Sequence, residues 1–523
     1  MLAETFAELT GVPKIDAVAL LPVIAPVVAL LLILLVDAIR PGLRTVTDAL
    51  GVSGLLVAAG AVAYLAQDGQ DRSTACSSGF VVTSGQTGPT RLPESLSPAQ
   101  FGFGCSYVVS DLTLAVQGIV LLGALACLLL ALAGPGAKDR TAHHTLLLAT
   151  VAGAAALAGA RDLATLTVAL ETATLPVIGL IALRRDAQGA QAAVTMLLTA
   201  VASLGLLLLG VGLLFLATGS LYLARIADVL AADPQRPVLV VAALGVVLAI
   251  AGIGFKVSLV PFHLWTPDTY AGAPLPVAAF LSTVSKAAGL TAVVVLLGIG
   301  VPTLHEVWAP LVGVLAVLTM TVGNLVALRQ TVAVRLLAWS TVAQAGWVVL
   351  PFAGAGASRD SVREVAAASI GYLLAYVVAG LAVFAVVVLV ARHHRAGEEH
   401  TLQAYRGLGR TEPVAAAVLA FALFCLAGLP PGVMGLIAKV VVLRPVVHAE
   451  TWPIAVLAAL NVALALAYYL RWTALLVSPA GTAPPRWRLR PAEGIVLGGA
   501  AAGCLGLSVG AQVIAGLLPG ILH

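Results

Sequence analysis

The sequence predicts an all-α polytopic membrane protein of about 14 transmembrane helices, and three observations predict it. Of 523 residues, 60% are hydrophobic and only 10% are charged, against roughly 25% charged in ordinary globular chains. The apolar residues come in unbroken runs, and about 20 such residues span a bilayer as one helix. The alternating pattern of roughly 10 residues that marks an outer-membrane barrel is absent. This composition excludes a cytosolic enzyme, a nucleic-acid-binding protein, a disordered tail and a disulfide-rich secreted domain. The net charge of +4 says little about partners. The five cysteines have no CxxC spacing, so they suggest neither zinc nor an iron–sulfur cluster.

The first three spans read 17–38, 46–66 and 108–133. Loop 67–107 between the last two is rich in Ser, Thr, Gly and Pro and too polar for a domain core. A block of five spans follows at 144–160, 163–183, 192–217, 237–260 and 275–299. Within it, residues 219–232 set Leu223, Ile226, Val229 and Leu230 at helical spacing opposite Arg225 and Asp228. That suits a short helix on the membrane surface or an ordinary amphipathic connector. A second block reads 309–328, 332–353, 366–391, 413–445 and 453–474. The run 413–445 is too long for one straight helix and contains Gly428-Leu429-Pro430-Pro431-Gly432. One broken span is expected there; two spans is the alternative and would invert everything after it. The last span reads 492–518.

The chain therefore divides into an N-terminal three-helix segment (1–143), two five-helix blocks (144–299 and 309–474) and a C-terminal helix segment (475–523). Five is odd, so the second block is expected to be inverted relative to the first. Each block breaks at its fourth span, the seventh and twelfth of the chain. Inverted repeats with broken helices are the architecture of secondary transporters.

Lys and Arg in short loops set orientation. Fifteen fall on the side of Arg40, Arg140, Arg184 and Arg335, and eight on the side of Lys14, Arg91 and Arg161. The first side is expected to be cytoplasmic, with both termini outside. Glu4, Glu8, Lys14 and Asp16 do not make the basic leader of a cleavable signal peptide. Cys76 and Cys105 share the one long loop, where an oxidising exterior permits a bridge. A Cys76–Cys105 disulfide is expected, with two free thiols as the alternative.

An ionisable side chain at mid-membrane costs about 2.5–3.5 kcal/mol on insertion scales. Four stand out: Glu171, Lys256, Lys286 and Lys439. The chain has 23 Arg and only five Lys, yet three of those Lys sit in apolar spans. A buried lysine can release its proton, whereas arginine keeps its own. A proton relay needs the former. The alternatives are a buried ion pair, or a Lys reaching back to the interface. Lys256 ends Gly252-Ile253-Gly254-Phe255-Lys256, just before Pro261. Lys439 follows the Gly428–Gly432 break. Broken membrane helices expose backbone, which is tolerated only inside protein or beside a watery cavity.

The run from Phe255-Lys256 through Trp265-Thr266-Pro267-Asp268-Thr269-Tyr270-Ala271-Gly272-Ala273-Pro274 closely resembles the signature of the antiporter-like membrane subunits of respiratory complex I. With Ser285-Lys286-Ala287-Ala288-Gly289 it looks like the N-type members. The L and M types and the multisubunit sodium/proton antiporters read Trp-Leu-Pro-Asp-Ala, followed by a His-containing eighth span. Further matches are Leu170-Glu171, Arg335-Leu336-Leu337-Ala338-Trp339-Ser340, Tyr372-Leu373-Leu374-Ala375-Tyr376, Tyr405-Arg406-Gly407-Leu408 and Gly428-Leu429-Pro430-Pro431. The resemblance runs from about 17 to 518.

The resemblance implies roles. Glu171 would pair with Lys256, Lys286 would be the connecting lysine, and Lys439 the lysine toward the exit. One position departs: the family's Tyr-Ser-Ser-x-x-His reads Trp339-Ser340-Thr341-Val342-Ala343-Gln344 here, and Gln cannot titrate. His263 is a further candidate for the relay, or it fixes its loop. Asp268 would cap the eighth span or pair with a base. Trp265 and Tyr270 would anchor at the interface, and Arg335 would anchor the inner face or join the axis.

The activity implied is a proton path in an NADH:quinone oxidoreductase of a bacterial plasma membrane. No GxGxxG, P-loop or metal-ligand cluster is present, so no cofactor is expected in this chain. NADH, FMN, iron–sulfur clusters and quinone would belong to partner subunits. The implied partners are the antiporter-like M subunit, the small K-, J-, A- and H-type subunits, and the lipid bilayer. The alternatives are a subunit of a multisubunit cation/proton antiporter, or a structural spacer that does not pump.

Overall fold

The computed structural model describes residues 15–76, 104–133, 139–232, 234–393, 400–479, 487 and 489–510. Glu4, Glu8, Lys14, Arg91, Lys138, most of loop 67–107 and the end of the last expected span lie outside them. Among the described residues, thirteen helices are long and apolar enough to cross a membrane. A fourteenth crossing is divided in two, at the place expected.

The N-terminal group is α1 (Leu21–Ile39), α2 (Arg44–Asp68) and α3 (Asp111–Ala133). The first block holds α4 (Arg140–Gly159), α5 (Leu163–Thr172), α6 (Leu175–Ala182), α7 (Ala187–Thr218), the connector α8 (Leu223–Ala231) and α9 (Arg236–Val257). It closes with α10 (Trp265–Gly272), α11 (Leu275–Ser282), α12 (Val284–Val293) and a π-helical turn, Val294–Gly300. The second block holds α13 (His305–Ala327), α14 (Ala333–Val349), α15 (Arg359–His393), α16 (Pro413–Ala427), α17 (Val433–His448) and α18 (Trp452–Val477). The last helix is α19 (Pro491–Val509).

Helix ends follow local chemistry. Asp162 opens α5 by accepting the Thr165 N–H at 2.8 Å, and Asp186 opens α7 by accepting that of Gly189 at 2.7 Å. Gly219, at φ +68°, closes α7 in the left-handed cap that glycine takes without strain.

Three crossings form the interior. Leu275–Gly300 is wholly enclosed, and Ala333–Gly354 and Asp360–His393 nearly so. Leu21–Ile39, Ala187–Thr218 and Pro491–Val509 are mostly uncovered and present Leu31, Leu35, Leu198 and Leu216 outward. Lipid is as apolar as these side chains, so apolar periodicity does not separate inside from outside here. Polar side chains help: Ser282, Thr283, Ser285, Lys286, Thr291, Ser340, Thr341, Gln344 and Ser369 are buried on the three enclosed crossings.

Four crossings are broken, not two. The breaks at Ser258–Leu264 and at Gly428–Gly432 follow the Gly and Pro residues that announce them. The others lie at Ala173–Thr174, ahead of Pro176, and at Thr283 between α11 and α12.

Two expectations are corrected. Trp265 and Tyr270 are fully buried rather than interfacial. The Trp265 indole donates to the Phe255 carbonyl at 3.0 Å, tying α10 to the end of α9. The connector α8 buries Leu223, Ile226 and Leu230. Leu223 lies over Gly300 of the π turn, so the apolar edge faces protein and not the membrane surface. Loop 67–107 also contains a hairpin that composition hid: Arg72–Cys76 pairs antiparallel with Cys105–Val109, with Cys76 opposite Cys105.

Cys76 and Cys105 form a disulfide, as expected from their shared loop, while Cys127, Cys425 and Cys504 are buried free thiols. In non-reduced membranes a maleimide should label neither Cys76 nor Cys105, and both after reduction. At the twelfth-span break, a Cβ on Gly435 would drive into the Cys425 carbonyl, which is backbone and cannot yield. Gly435→Ala should therefore destabilise the subunit by about 1–3 kcal/mol or more and lower the amount in membranes. Gly494→Ala, with open space around it, should leave that amount unchanged.

Candidate functional site

Pro176 creates the first element of the site. Its ring has no N–H, so α5 cannot continue into α6. The Val177 N–H turns instead to the Thr174 carbonyl at 3.2 Å, which leaves the Ala173 carbonyl without a helical partner. The Lys256 ammonium takes that carbonyl at 2.9 Å and the Thr174 hydroxyl at 2.9 Å. Lys256 is 1% exposed, in the last turn of α9. Glu171 sits half-buried one turn away, within Coulombic reach of Lys256. The two form no direct ion pair: the turn between them supplies the contacts. Glu171 shares its face of α5 with exposed Val168 and Thr172.

Beyond Lys256 the chain turns at Ser258, in the left-handed conformation at φ +69°. The Ser258 hydroxyl accepts the Lys286 ammonium and shares a 2.7 Å bond with the Thr266 hydroxyl. Lys286 is buried in α12, with its Nζ 5.1 Å from the centroid of the Trp265 ring, an arrangement that favours a cation. Thr266 thus stands within the polar contacts of Lys286, where a leucine could not bond. His263 is buried beside Trp339, and its Nδ1 has no partner among the described residues. Asp268 and Arg335 form an exposed ion pair at 2.6 Å, so each is the other's partner, off the buried line.

One turn before Lys286, the break at Thr283 faces the Ser282 side chain to α14 and α15. Its hydroxyl meets Thr341 at 2.9 Å and Tyr376 at 2.7 Å. One turn further, Gln344 accepts from the Tyr372 hydroxyl and donates to Tyr469 at 3.1 Å and to the Leu426 carbonyl at 3.2 Å. Ser340 also bonds Tyr469. The Leu426 carbonyl is the hinge of the group, because Lys439 donates to it at 3.1 Å and to Ala427 at 2.6 Å.

Lys439 repeats the seating of Lys256. Each ammonium rests on carbonyls freed at the C-terminal end of a half-helix, α5 for one and α16 for the other, where the helix dipole is negative. Each uses two of its three donors and keeps one. Lys439 Nζ also lies 5.2 Å from the Trp347 centroid, as Lys286 does with Trp265. Gly428 is required here twice over. Its φ is +80°, and a Cβ would lie 2.9 Å from the Lys439 Cδ.

The structure thus places Lys256, Lys286 and Lys439 in successive buried polar groups that are not bonded to one another, with Glu171 near the first and His263 near the second. Reading the sequence did not single out Thr174, Ser258, Ser282, Thr341 or Tyr469. Pro176 signals the first of these; lone hydroxyls on apolar helices give no signal for the others. Among the described residues, no group of three His, Cys, Asp or Glu side chains could hold a metal ion.

Residues 160–465 match the family model described as NADH:quinone oxidoreductase/Mrp antiporter, TM. NADH-quinone oxidoreductase subunit N 2 of Streptomyces griseus is 41% identical over 497 residues, covering 91% of this chain and 88% of that protein. Among solved structures, a chain of respiratory complex I from Thermus thermophilus superposes with a TM-score of 0.75 at 28% identity, over 95% of this chain and 98% of that one. A chain of the Mrp complex from a Dietzia species reaches a TM-score of 0.78 at 20% identity, over 97% and 98%, which speaks for the fold alone. The chain belongs to the NADH:quinone oxidoreductase/Mrp antiporter family and, within it, to the N-subunit branch of the NADH-quinone oxidoreductases.

Proposed function

We propose that this chain is a proton-translocating subunit in the membrane arm of an NADH:quinone oxidoreductase. In this reading protons move along Glu171, Lys256, Lys286 and Lys439, coupled to quinone reduction in partner subunits. The observation that carries it is the series of buried polar contacts through the three enclosed crossings. Three gaps remain, Lys256 to Ser258, Lys286 to Ser282 and Thr341 to Gln344; the last two are each about one helical turn, or 5.4 Å, and in this reading water molecules bridge all three.

The mechanism follows from how the lysines are held. A carbonyl and a hydroxyl hold Lys256, two carbonyls hold Lys439 and the Ser258 hydroxyl holds Lys286; no contact neutralises any of them, so one added or removed charge tips the balance. When the field of Glu171 is cancelled by charge arriving along the bilayer, Lys256 is freed to give up its proton. Ser258 links its turn to Lys286. From there the hydroxyls of Ser282, Thr341, Tyr376 and Tyr372 lead to the Gln344–Leu426 group and Lys439.

The like seating of Lys256 and Lys439 supports reading 144–299 and 309–474 as inverted repeats, after segment 1–143 and before 475–523. The Lys and Arg count supports reading the loops of Arg140 and Arg335 as cytoplasmic in a bacterial cell. NADH, FMN, iron–sulfur clusters and quinone then belong to partner subunits. The exposed face that carries Glu171 suits a neighbouring K-type subunit. The M-, J-, A- and H-type subunits complete the arm. The cation/proton antiporter reading is less favoured, because Lys286 and Thr266 make contacts that the His- and Leu-bearing pattern of antiporters would not.

Two outcomes test this in purified complex returned to vesicles, scoring NADH:quinone turnover and proton uptake together. Glu171→Gln and Lys256→Ala should each assemble yet lose pumping, and the double variant should fall no lower than the worse single variant, since one coupled element is lost once. Normal pumping by Lys256→Ala would sink the relay. Gln344→Leu should strand buried hydrogen-bonding groups at about 1–3 kcal/mol each, yet keep more pumping than Lys286→Ala. An equal loss at both positions would mean that the amide, not the lysine, sets the path.

A further inference from the structure

A second buried cluster of ionisable groups lies away from the line of lysines, where α2 meets the first turn of α4. His143 is 7% exposed and His144 is 1% exposed. Their Nδ1 atoms face each other at 3.3 Å. His144 Nε2 lies 2.9 Å from Asp48 Oδ1, and Arg140 binds Asp48 Oδ2. Gly51 leaves room for the His144 ring: a Cβ there would come within 3.3 Å of its Cδ2. Arg140, Thr47, Thr141 and Thr145 also line a recess of about 490 Å³ that opens on the arginine-rich face. The cluster therefore runs from a wet mouth, through a one-fifth-exposed carboxylate, to two enclosed rings.

We infer that Asp48, His144 and His143 form a proton-binding chain that takes up one proton at a time from water at this face. The geometry dictates the capacity. Two facing Nδ1 atoms can share one hydrogen but not two, because two N–H groups would point at each other. The pair therefore stays neutral in two arrangements, the second of which holds one proton more, on Asp48. In one, His143 Nδ1 donates to His144 Nδ1, and His144 Nε2 donates to Asp48. In the other, Asp48 carries a proton and donates it to His144 Nε2, His144 Nδ1 donates to His143 Nδ1, and His143 Nε2 holds the last hydrogen. Passage breaks one bond to hydrogen and makes one at each step. Once water has protonated Asp48 in the second arrangement, Asp48 gives that proton to His144 Nε2, His144 Nδ1 gives one to His143 Nδ1, and His143 Nε2 gives one to a water molecule, which leaves the first arrangement. That nitrogen has no hydrogen-bond partner among the described residues.

The charged groups facing the chain are few. Asp48 and Arg44 come from α2, Asp37 from α1 and Arg140 from α4 itself, while Asp139 is bound to Arg185. From α3 no charged side chain reaches this end. Glu171 on α5 and Lys286 on α12 lie further in. Gly153 of α4 packs against Thr172 and Ala173, ten residues and about 15 Å along the helix from His143. The same helix thus connects the cluster to the turn that seats Lys256. That the bound proton joins the translocated ones rests on the function proposed above; that the chain binds it does not.

The test uses the whole complex, with assembly confirmed for His143→Gln, His144→Gln and Asp48→Asn. Infrared difference spectra over a pH titration read imidazole protonation directly. Each His variant should abolish one titrating imidazole signal of the wild type, and Asp48→Asn should shift its midpoint. In vesicles, His144→Gln should lower proton uptake per NADH, with the loss growing as pH rises. Spectra unchanged by every replacement would overturn the proton-binding chain and leave a structural clasp between α2 and α4. Should the His variants fail to assemble, Asp48→Asn still decides, because a midpoint identical to wild type would also overturn it. Lys256→Ala in the same vesicles separates the claims, since normal pumping there removes the relay without touching the infrared result.

Discussion

A bilayer interior offers no water to a backbone carbonyl, and this structure depends on how it satisfies the carbonyls it frees. Every break in a spanning helix strands such groups, at several kcal/mol for each one left unpaired. The protein places an ammonium on them. Ala173 is freed by Pro176 and taken by Lys256; Leu426 and Ala427 are freed at Gly428 and taken by Lys439. These two breaks thus each bind a cation, and these two cations each repair a break, while at the end of α9 the Trp265 indole takes the Phe255 carbonyl instead. Neither would be stable alone, because an unpaired lysine and an unpaired carbonyl are both expensive in hydrocarbon. Together they form a stable site whose charge is still not cancelled by any carboxylate in contact.

That last property separates these sites from ion pairs. A lysine in direct contact with a carboxylate is held charged and gains little from a distant field. A lysine held by dipoles alone responds to charges some way off, which decay slowly in a medium of low dielectric. Glu171, near Lys256 but not bonded to it, is placed to act in that way. Arginine could donate to the same carbonyls but would keep its proton, so lysine at three interior positions, in a chain that otherwise uses arginine, fits the proposed relay.

Much of this was legible in the sequence. The four interior charges and the breaks near Pro261 and Gly428 stand out, because charge, glycine and proline are anomalies against apolar background. The fold class and the divided twelfth crossing follow from the same anomalies. What stayed hidden is polar and small. Ser258, Ser282 and Thr341 sit among apolar residues with no pattern to mark them, since a hydroxyl on a membrane helix can bond its own backbone and needs no partner. The fifth-span break was announced only by Pro176, and proline near a span end is common. Trp265 and Tyr270 read as interfacial because most membrane tryptophans are; the carbonyl that Trp265 reaches is created by a fold no local rule describes. His143 and His144 open an apolar helix beside a basic loop, and nothing in their spacing marks them as facing Asp48.

Gln344 shows why a single position misleads. A side chain that cannot titrate, where related chains carry histidine, reads as an interruption of the path. In three dimensions it is a junction, since one amide accepts from Tyr372 and donates to Tyr469 and to the carbonyl that also binds Lys439. An amide with both roles fixes which way its neighbouring hydroxyls point, and a chain of hydroxyls passes a proton only when all point the same way. The titrating function can then move to the hydroxyls around it. Tyr372 and Tyr376, one turn apart on the most enclosed long helix, supply them, each held by a bond to α14. On the proposed path a histidine would do both jobs with one ring, whereas here orientation and conduction would fall to separate side chains that are packed together.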